Sequence, residues 1–391
     1  MKKILALLLA FVMVFALCAC GSTAYADDTQ KVKFGLITLH DENSTYDANF
    51  INSANEAVEN LAKEGIDVEL VLKTGVPEGE DCYEVACDLA DDDVQIMLAD
   101  SFGHEDYIIK AAKEYPDVEF LHATGYQAQI VNLPNFHDGF AAIYEGRYLA
   151  GVAAGLKLQE MIDNGEVDAE NVKVGYVGAY TYAEVISGYT SWFLGVRSIV
   201  PTVTMEVTFT GSWYDETLEK EAANTLIEDG CVLISQHADS MGAPTACETA
   251  GVPDVTYNLP TAEACPNTYI IYSKINWAPY IEYAIKTMLN GDAIDCDYTG
   301  TFETGSVVVG EPSPIAAEGT AEKLAEVKAA IEDGSLKVFD CSTYEVADLN
   351  GMSEEDYANY TADGFFAESV SASAPAFSVM IEGITLLDTA F

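Results

Sequence analysis

Two stretches of the chain share one pattern of apolar and polar positions. Residues 32–37 and residues 172–177 are short apolar runs, and each is followed by a polar loop and then by a helical pattern. Runs of this kind are typical of parallel strands buried on both faces, and ligands of open α/β sheets bind at the carboxyl ends of such strands. The repeated pattern therefore predicts two similar α/β lobes whose loops face a common cleft.

Strands and helices are predicted to alternate along the first lobe. After the first strand, apolar residues recur at helical spacing, at Phe50, Ala54, Ala57, Val58 and Leu61. Further apolar runs predict strands at residues 68–72, 94–99 and 118–121. Helical patterns separate these strands at residues 82–89 and 105–114. This order implies right-handed crossovers and a parallel sheet.

The second lobe is predicted to repeat the alternation from residue 172 onward. A capping box at residues 181–184 predicts the start of its first helix. Strands are predicted at residues 204–209, 231–235 and 255–258, and a helix at residues 217–229. The chain would then pass between the lobes three times, near residues 135–138, 267–276 and 298–304.

These crossings divide the chain into lobes. The first lobe is predicted to comprise residues 31–135 and 268–298, and the second lobe residues 136–267 and 299–345. Residues 346–391 form a C-terminal extension that is acidic and aromatic. Docking onto the lobes and partial disorder are both open for this extension.

The first 20 residues have the pattern of a bacterial lipoprotein signal peptide. Lys2 and Lys3 precede an apolar run, residues 4–17, that is too short for a comfortable membrane span. The following Leu-Cys-Ala-Cys-Gly segment resembles a lipobox, which predicts a lipid on Cys20 and a polar tether at residues 21–30. Cleavage after the A-x-A-like segment 24–26 is the alternative. The predicted location is extracytoplasmic, with a lipid anchor in the cell membrane.

The charge of the chain excludes one class of partner. There are 64 Asp and Glu against 18 Lys and Arg, which gives a net charge of −46. Such a field repels phosphate backbones, so nucleic-acid binding is not predicted. Hydrophobic residues make up 49% of the chain, which favours a packed globule over disorder.

The cysteines do not indicate a framework of bonds or a metal centre. The cysteines beyond Cys18 and Cys20 are scattered and include no C-x-x-C pair. We therefore predict buried free thiols and neither a zinc site nor a disulfide framework.

Motifs that would indicate catalysis are missing from the sequence. It contains no phosphate-binding loop, G-x-S-x-G elbow, H-E-x-x-H or Rossmann glycine fingerprint. An acid–base pair of Asp47 with Asp215 or Asp239 is the enzymatic alternative. We predict no catalytic residue, no cofactor and no metal, although histidines at several strand ends leave a metal site as a less favoured alternative.

Aromatic and hydrogen-bonding residues cluster at the predicted strand ends. Planar aromatic walls with a few polar groups suit a flat, polar, neutral ligand such as a nucleoside. The aromatic residues at or beside these loops include Tyr180 and Tyr257, and the polar ones include Ser101 and His237. Packing in the core or hinge is the competing role for about half of the aromatic residues. The predicted ligand-binding residues are Tyr46, Asp47, Asn49, Phe102, Tyr182, Trp213, Asp215, Gln236, Asp239 and Asn258.

Four phrases, in order, carry a resemblance to a known family. They are Y-P-D-V at residues 115–118, E-G-R-Y-L-A-G-V-A-A-G at 145–155, G-S-W-Y-D at 211–215 and I-E-D-G-S-L-K-V-F at 331–339. Behind a lipobox, this series resembles the basic membrane lipoprotein family of substrate-binding proteins, of the purine-nucleoside receptor type. The resemblance extends over about residues 33–339.

The resemblance implies a fold, a partner and some site residues. The fold would be the two-lobe periplasmic-binding-protein type I fold, with a parallel sheet flanked by helices in each lobe and a three-strand hinge. The ligand would be passed to the permease subunits of an ABC importer. The aromatic clamp of the family corresponds to Trp213, its nearby acid to Asp215, and its first loop to residues 44–49. The sequence departs from the family pattern at residues 122–124, residues 255–258 and Asn276.

The resulting functional hypothesis is a lipid-anchored substrate-binding protein that binds a nucleoside, with a purine nucleoside favoured. Two alternatives have the same cleft: a ligand-sensing receptor for a membrane signalling partner, and a binding protein for another small polar metabolite such as a sugar. A hydrolase acting on nucleosides is the enzymatic alternative, which we disfavour because no catalytic motif is present.

Overall fold

The computed structural model describes residues 30–388. The predicted signal peptide, Cys20 and the predicted tether up to residue 29 lie outside the described residues. Gln30, the last residue of the predicted tether, begins the first strand. Within residues 30–388, no helix is long and apolar enough to cross a bilayer.

Strands and helices alternate along most of the chain. The strands are β1 (Gln30–Ile37), β2 (Ile66–Lys73), β3 (Ile96–Ala99), β4 (Glu119–Ala123), β5 (Phe136–Ala141), β6 (Lys173–Gly178), β7 (Thr204–Phe209), β8 (Ile234–Gln236), β9 (Asp254–Tyr257), β10 (Tyr269–Ile275), β11 (Asp297–Gly300), β12 (Val307–Val309), β13 (Val346–Asp348), β14 (Met380–Ile381) and β15 (Ile384–Leu386). The helices are α1 (Thr45–Lys63), α2 (Glu80–Asp91), α3 (Glu105–Glu114), α4 (Ala128–Val131), α5 (Ile143–Asp163), α6 (Ala183–Ile199), α7 (Glu216–Glu228), α8 (Gly242–Ala250), α9 (Ala278–Asn290), α10 (Thr320–Glu332) and α11 (Glu354–Tyr360). A short 3₁₀ turn, Phe102–His104, precedes α3.

The strands form two main sheets, one in each lobe. The first sheet has the order β11-β5-β4-β3-β1-β2, and its neighbouring strands are parallel. The second sheet has the order β12-β10-β9-β8-β6-β7-β15, in which β12 runs antiparallel to β10 and the other neighbours are parallel. β13 and β14 form a small antiparallel ribbon. The predicted pair of parallel-sheet lobes flanked by helices is confirmed.

The first strand and helix show why the sequence folds in this way. Phe34, Leu36 and Ile37 are fully buried, so β1 is covered on both faces as its apolar run predicts. The Ser44 side chain accepts a hydrogen bond from the Asp47 backbone and caps the start of α1. The apolar stripe of α1 then packs against the sheet in the core of the first lobe.

Two strands next to the hinge belong to the lobe opposite to the predicted one. Residues 136–141, predicted to begin the second lobe, form β5 in the first sheet, and residues 269–275, predicted in the first lobe, form β10 in the second sheet. The chain therefore crosses after β5, after β10 and after β11. β5 escaped prediction because His137 and Asp138 interrupt its apolar pattern, although both side chains are buried.

The C-terminal extension is docked through residue 388. Phe366, Phe377 and Ile381 are buried in the core of the second lobe. β15 extends the second sheet at β7. The buried Glu368 carboxylate accepts a hydrogen bond from the Ser187 hydroxyl, at 2.6 Å, and others from the backbone of residues 376 and 377. Of the two roles left open by the sequence, the described part of the extension shows docking.

Candidate functional site

The carboxyl ends of strands from both lobes surround one cavity. The side chains around it follow β1, β3 and β4 in the first lobe and β6, β7 and β8 in the second, and Tyr257 is the last residue of β9. They are Leu39, His40, Tyr46, Asp47, Ser101, Phe102, Thr124, Glu184, Trp213, His237, Asp239 and Tyr257. The cavity therefore lies where parallel-sheet topology places ligands.

The two lobes touch each other around this cavity. The Thr45 backbone N–H donates a 2.8 Å hydrogen bond to the Asp239 carbonyl oxygen in the opposite lobe. The rings of Phe102 and Tyr182 also meet across the cleft, with centroids 5.2 Å apart. The structure thus has its lobes in a closed arrangement.

Trp213 belongs to an aromatic cluster on the second lobe. Its ring packs edge-on against Tyr180 at 5.0 Å and lies 6.0 Å from Tyr182. Gly211, with φ of +69°, turns the chain after β7 in the left-handed conformation that glycine adopts freely. The Trp213 carbonyl accepts a hydrogen bond from the Asp239 N–H at 2.9 Å, which ties two cleft loops together.

Asp47 is held as an ionised carboxylate. It is buried at the start of α1, where it accepts a 2.7 Å hydrogen bond from the His40 N–H and another from the Ser44 hydroxyl. Burial raises the pKa of Asp47, but the hydrogen bonds from His40 and Ser44 together outweigh burial and lower it below its ordinary value. Asp47 therefore offers the cavity a negative acceptor.

Asp239 has the opposite tendency. Its pKa is raised well above the ordinary value by burial and by the negative charges of Glu219, Asp47 and Glu184. The Asn258 amide donates to its Oδ1 atom at 3.3 Å. When it carries a proton, the Asp239 carboxyl group can donate as well as accept a hydrogen bond.

A buried arginine stands behind the second-lobe wall. Arg147 is fully buried, lies 4.8 Å from the Tyr257 ring centroid and donates to the Tyr176 hydroxyl and, at 3.0 Å, to the Gln236 carbonyl. His237 packs on Tyr257, and burial lowers the pKa of its imidazole. Within the described part of the chain, neither lysine nor arginine lines the cavity. A ligand with a phosphate group would therefore meet carboxylates without a cation to pair with.

The structure brings together some of the predicted binding residues and not others. Those that line the cavity are Tyr46, Asp47, Phe102, Trp213 and Asp239. Tyr182 lies at the mouth of the cleft with 43% of its surface exposed, and Asn258 lies behind Asp239.

Three predicted binding residues hold backbone instead of lining the cavity. The Asn49 amide donates to the Ile275 carbonyl at 2.7 Å, and the Gln236 amide donates to the Ala238 carbonyl at 3.2 Å. The Asp215 carboxylate caps α7 by accepting from two backbone N–H groups. Strand-end proximity could not separate these supporting residues from lining ones, because neighbouring side chains point in different directions.

Some lining residues were not predicted as binding residues. Leu39, His40 and Thr124 lie within three residues of the carboxyl end of a strand, and that position is the signal that could have found them. Glu184 was assigned to a capping box, but α6 begins at Ala183 and the Glu184 carboxylate lies 3.4 Å from His237 Nε2. Tyr257, Ser101 and His237 lie at or beside the predicted strand-end loops, but they are not among the predicted ligand-binding residues.

Replacing Asp215 by alanine is expected to lower the free energy of unfolding by about 0.5–2 kcal/mol, because the N-cap of α7 is lost. Ligand affinity should stay within twofold of the wild-type value, since the carboxylate does not line the cavity. Urea denaturation and calorimetric titration would measure the two quantities. Asp215→Asn, which keeps a capping oxygen, is the control; a large loss of affinity in both variants would place Asp215 in the binding site after all.

Two α/β lobes that close over a cavity at their strand ends are typical of proteins that bind small molecules between their lobes. Residues 34–337 match the family model described as ABC transporter substrate-binding protein PnrA-like, with the family name Bmp. The chain belongs to this family, and the resemblance stated from the sequence phrases is confirmed. Members of the family are substrate-binding components of ABC transporters.

Relatives and solved structures agree with this assignment. A putative ABC transporter glucose-binding protein of Haloferax volcanii is 30% identical over 73% of this chain and 68% of its own length. A purine-binding protein of Brucella abortus is 31% identical over 69% of this chain and 72% of its own. The solved structure of a solute-binding protein of an ABC transporter system from Aeropyrum pernix superposes with a TM-score of 0.64 at 15% identity, over 89% of this chain and all (100%) of its own. A similar protein from Conexibacter woesei gives a TM-score of 0.61 at 21% identity, over 78% and 98% of the two chains. The predicted periplasmic-binding-protein fold is thereby confirmed.

Proposed function

We propose that the chain binds a nucleoside, with a purine nucleoside favoured, in the cleft between its lobes. The observation that carries this proposal is the composition of the cavity. Trp213 and Phe102 line it from different lobes, and Tyr46 and Tyr257 add further aromatic surface. Flat aromatic surfaces favour a planar base, on which stacking is worth about 1–3 kcal/mol.

The carboxyl groups suit the sugar part of the same ligand. Asp47 accepts hydrogen bonds, and Asp239, with its raised pKa, can also donate one. Adjacent hydroxyl groups of a ribose are both donors and acceptors and would pair with such groups. The shortage of cations around the cavity favours nucleosides over nucleotides.

The proposed role is delivery of this nucleoside to the permease of an ABC importer, with no chemical change to the ligand. Closure of hinged lobes couples ligand binding to recognition by a partner. The relative from Brucella abortus, which is 31% identical to this chain, is named a purine-binding protein, and this name supports the favoured ligand class. Among the predicted binding residues, we assign ligand contact to Tyr46, Asp47, Phe102, Trp213 and Asp239, with Tyr182 at the mouth of the cleft.

We further propose that the protein is held outside the cytoplasm by a lipid on Cys20. The support is the lipobox-like segment at residues 17–21. Cys20→Ser is expected to move the protein from the membrane fraction to the soluble fraction. An N-terminus at Asp27 in the mature wild-type protein, found by peptide mass spectrometry, would instead support ordinary cleavage after residues 24–26.

A sugar is the second candidate ligand. The Haloferax volcanii relative is named a putative glucose-binding protein and is about as similar as the purine-binding relative. Aromatic faces and carboxylates also suit a sugar ring with several hydroxyl groups.

The deciding experiment is to identify the ligand. Small molecules released from gently purified and then denatured protein are identified by mass spectrometry. The refolded protein is then titrated calorimetrically with inosine, adenosine, guanosine, uridine and glucose. We expect purine nucleosides to bind tightly and glucose not to bind. Binding of glucose alone would overturn the nucleoside proposal, and turnover of a bound nucleoside would overturn the proposal of binding without chemistry.

A further inference from the structure

A second cluster of polar side chains lies beneath the cleft wall of the first lobe. Glu105 begins α3, His122 lies on β4 and Asp138 lies on β5. One ligand-type atom from each residue lies within 4.8 Å of the other two. The three side chains are buried, and His122 and Asp138 are register partners on adjacent parallel strands.

The His122 ring presents a lone pair to this cluster. Its Nε2 atom lies 2.8 Å from the Ser101 carbonyl oxygen and must carry the proton that makes this hydrogen bond. The Nδ1 atom is therefore an unprotonated acceptor, and it has no hydrogen-bond partner among the described residues. The ring is fully buried, and Nδ1 faces Asp138 Oδ1 at 3.8 Å.

The two carboxylates also direct acceptors inward without a cation to balance them. Asp138 Oδ2 accepts from the Ala128 N–H at 2.7 Å, while its Oδ1 has no hydrogen-bond partner in the described part of the chain. Glu105 Oε1 accepts from the N–H groups of Tyr126 and Gln127 at 2.8 and 2.7 Å, and its Oε2 accepts from the Gln127 side-chain amide at 3.0 Å. Within residues 30–388, neither carboxylate forms an ion pair with lysine or arginine.

The three acceptors converge on one centre. A Cβ atom placed on Gly125 would lie 2.3 Å from Asp138 Oδ1, 2.4 Å from His122 Nδ1 and 2.6 Å from a Glu105 carboxylate oxygen. The Cβ position is bonded directly to the Gly125 Cα atom, so an ion would bind the same three acceptors on the side away from Gly125. Only glycine at this position leaves the centre without a side-chain atom.

We propose that Glu105, His122 and Asp138 bind a divalent transition-metal cation such as Zn²⁺ or Mn²⁺. One imidazole nitrogen and two carboxylate oxygens form a mixed donor set that suits these ions better than Mg²⁺ or Ca²⁺, which prefer oxygen alone. The hydrogen bonds to Ser101, Ala128 and the 126–127 turn act as the outer shell that orients metal ligands.

Metal binding would affect the ligand cavity, because residues that hold the metal site in place also line that cavity. Ser101 and Thr124 both border the ligand cavity, and His122 is bonded to one and precedes the other by two residues. Thr124 has φ of +68°, a left-handed conformation that is strained for a β-branched residue. A metal ion would fix this strained turn, and with it one wall of the cavity, independently of which ligand the cleft takes.

Metal binding is tested on the mature protein without nucleoside. After treatment with a chelator, the protein is titrated with Zn²⁺ and Mn²⁺ by calorimetry and equilibrium dialysis, with metal content measured by mass spectrometry. One equivalent is expected to bind, and Mg²⁺ and Ca²⁺ should not displace it. Binding of Mg²⁺ or Ca²⁺ in preference would overturn the proposed ion class.

Three variants localise the site. His122→Ala and Gly125→Ala are expected to weaken metal binding at least tenfold, the first by removing a ligand and the second by filling the centre. His137→Gln is the matched control, because His137 is also a buried histidine of the same sheet but bonds to Glu119 outside the cluster. Circular dichroism checks that each variant folds. If His122→Ala unfolds, Gly125→Ala still tests the site, because it retains all three ligands. Absence of binding in the wild type would overturn the proposal, and equal binding in all variants would show that the metal binds outside this cluster.

Discussion

Replacing Trp213 by alanine is expected to lower the affinity for a purine nucleoside by roughly ten- to hundredfold, because base stacking on an aromatic side chain is worth about 1–3 kcal/mol. Trp213 is half-buried in a loop, and its backbone carbonyl accepts a hydrogen bond from the Asp239 N–H. The substitution therefore removes the ring and keeps the backbone contact. Calorimetric titration with inosine, at matched protein concentration, measures the change.

Trp213→Phe is the matched control, since it keeps an aromatic face at the same position. We expect it to retain affinity within about fivefold of the wild type, because a smaller ring still stacks on a base. The melting temperatures of both variants should remain close to that of the wild type. An alanine variant that binds inosine as tightly as the wild type would refute stacking on this residue.

Replacing Phe377 by alanine is expected to lower the free energy of unfolding by about 3–5 kcal/mol, the usual cost of removing a buried phenylalanine. Phe377 is fully buried in the extension and stacks on Phe339 at 4.1 Å, with Phe366 5.0 Å away. The cavity left behind would be surrounded by rigid aromatic rings that cannot easily collapse into it. Equilibrium denaturation in urea measures the loss.

Val370→Ala provides the comparison within the same segment. Val370 is 76% exposed, so its truncation should change stability by less than about 0.5 kcal/mol. Similar stabilities for the two variants would show that the extension does not contribute to the core of the second lobe in solution.

The sequence was sufficient for the architecture because the central strands are simple. Residues 32–37 and 94–99 are apolar runs, and the structure has buried strands in both. β5 was missed because a strand with buried polar residues cannot be told from a loop by periodicity. The docking of the extension depends on contacts with Phe339 and Ser187, which are remote in sequence and carry no local signal.

The binding site was predictable in its position and only partly in its members. The strand-end rule found the loops of Asp47, Phe102 and Trp213 because topology alone fixes where those loops gather. Whether a given side chain lines the cavity or caps a helix, as Asp215 does, depends on turn geometry. Glu105, His122 and Asp138 come from different elements, so no spacing pattern could have linked them.

The place of β15 in the second sheet has a consequence for how the chain is made. Ile384 pairs with Met205, so the outer strand of that sheet comes from a segment far along the chain from its partner strand. Pairing between segments so far apart in sequence raises contact order, and folding slows as contact order rises. The first sheet can assemble most of its strands early, from residues 30–141. The second lobe can complete its sheet and its core only after residues 366–386 have been synthesised, and a chain that stops before residue 366 would lack β15 and the buried rings of Phe366 and Phe377.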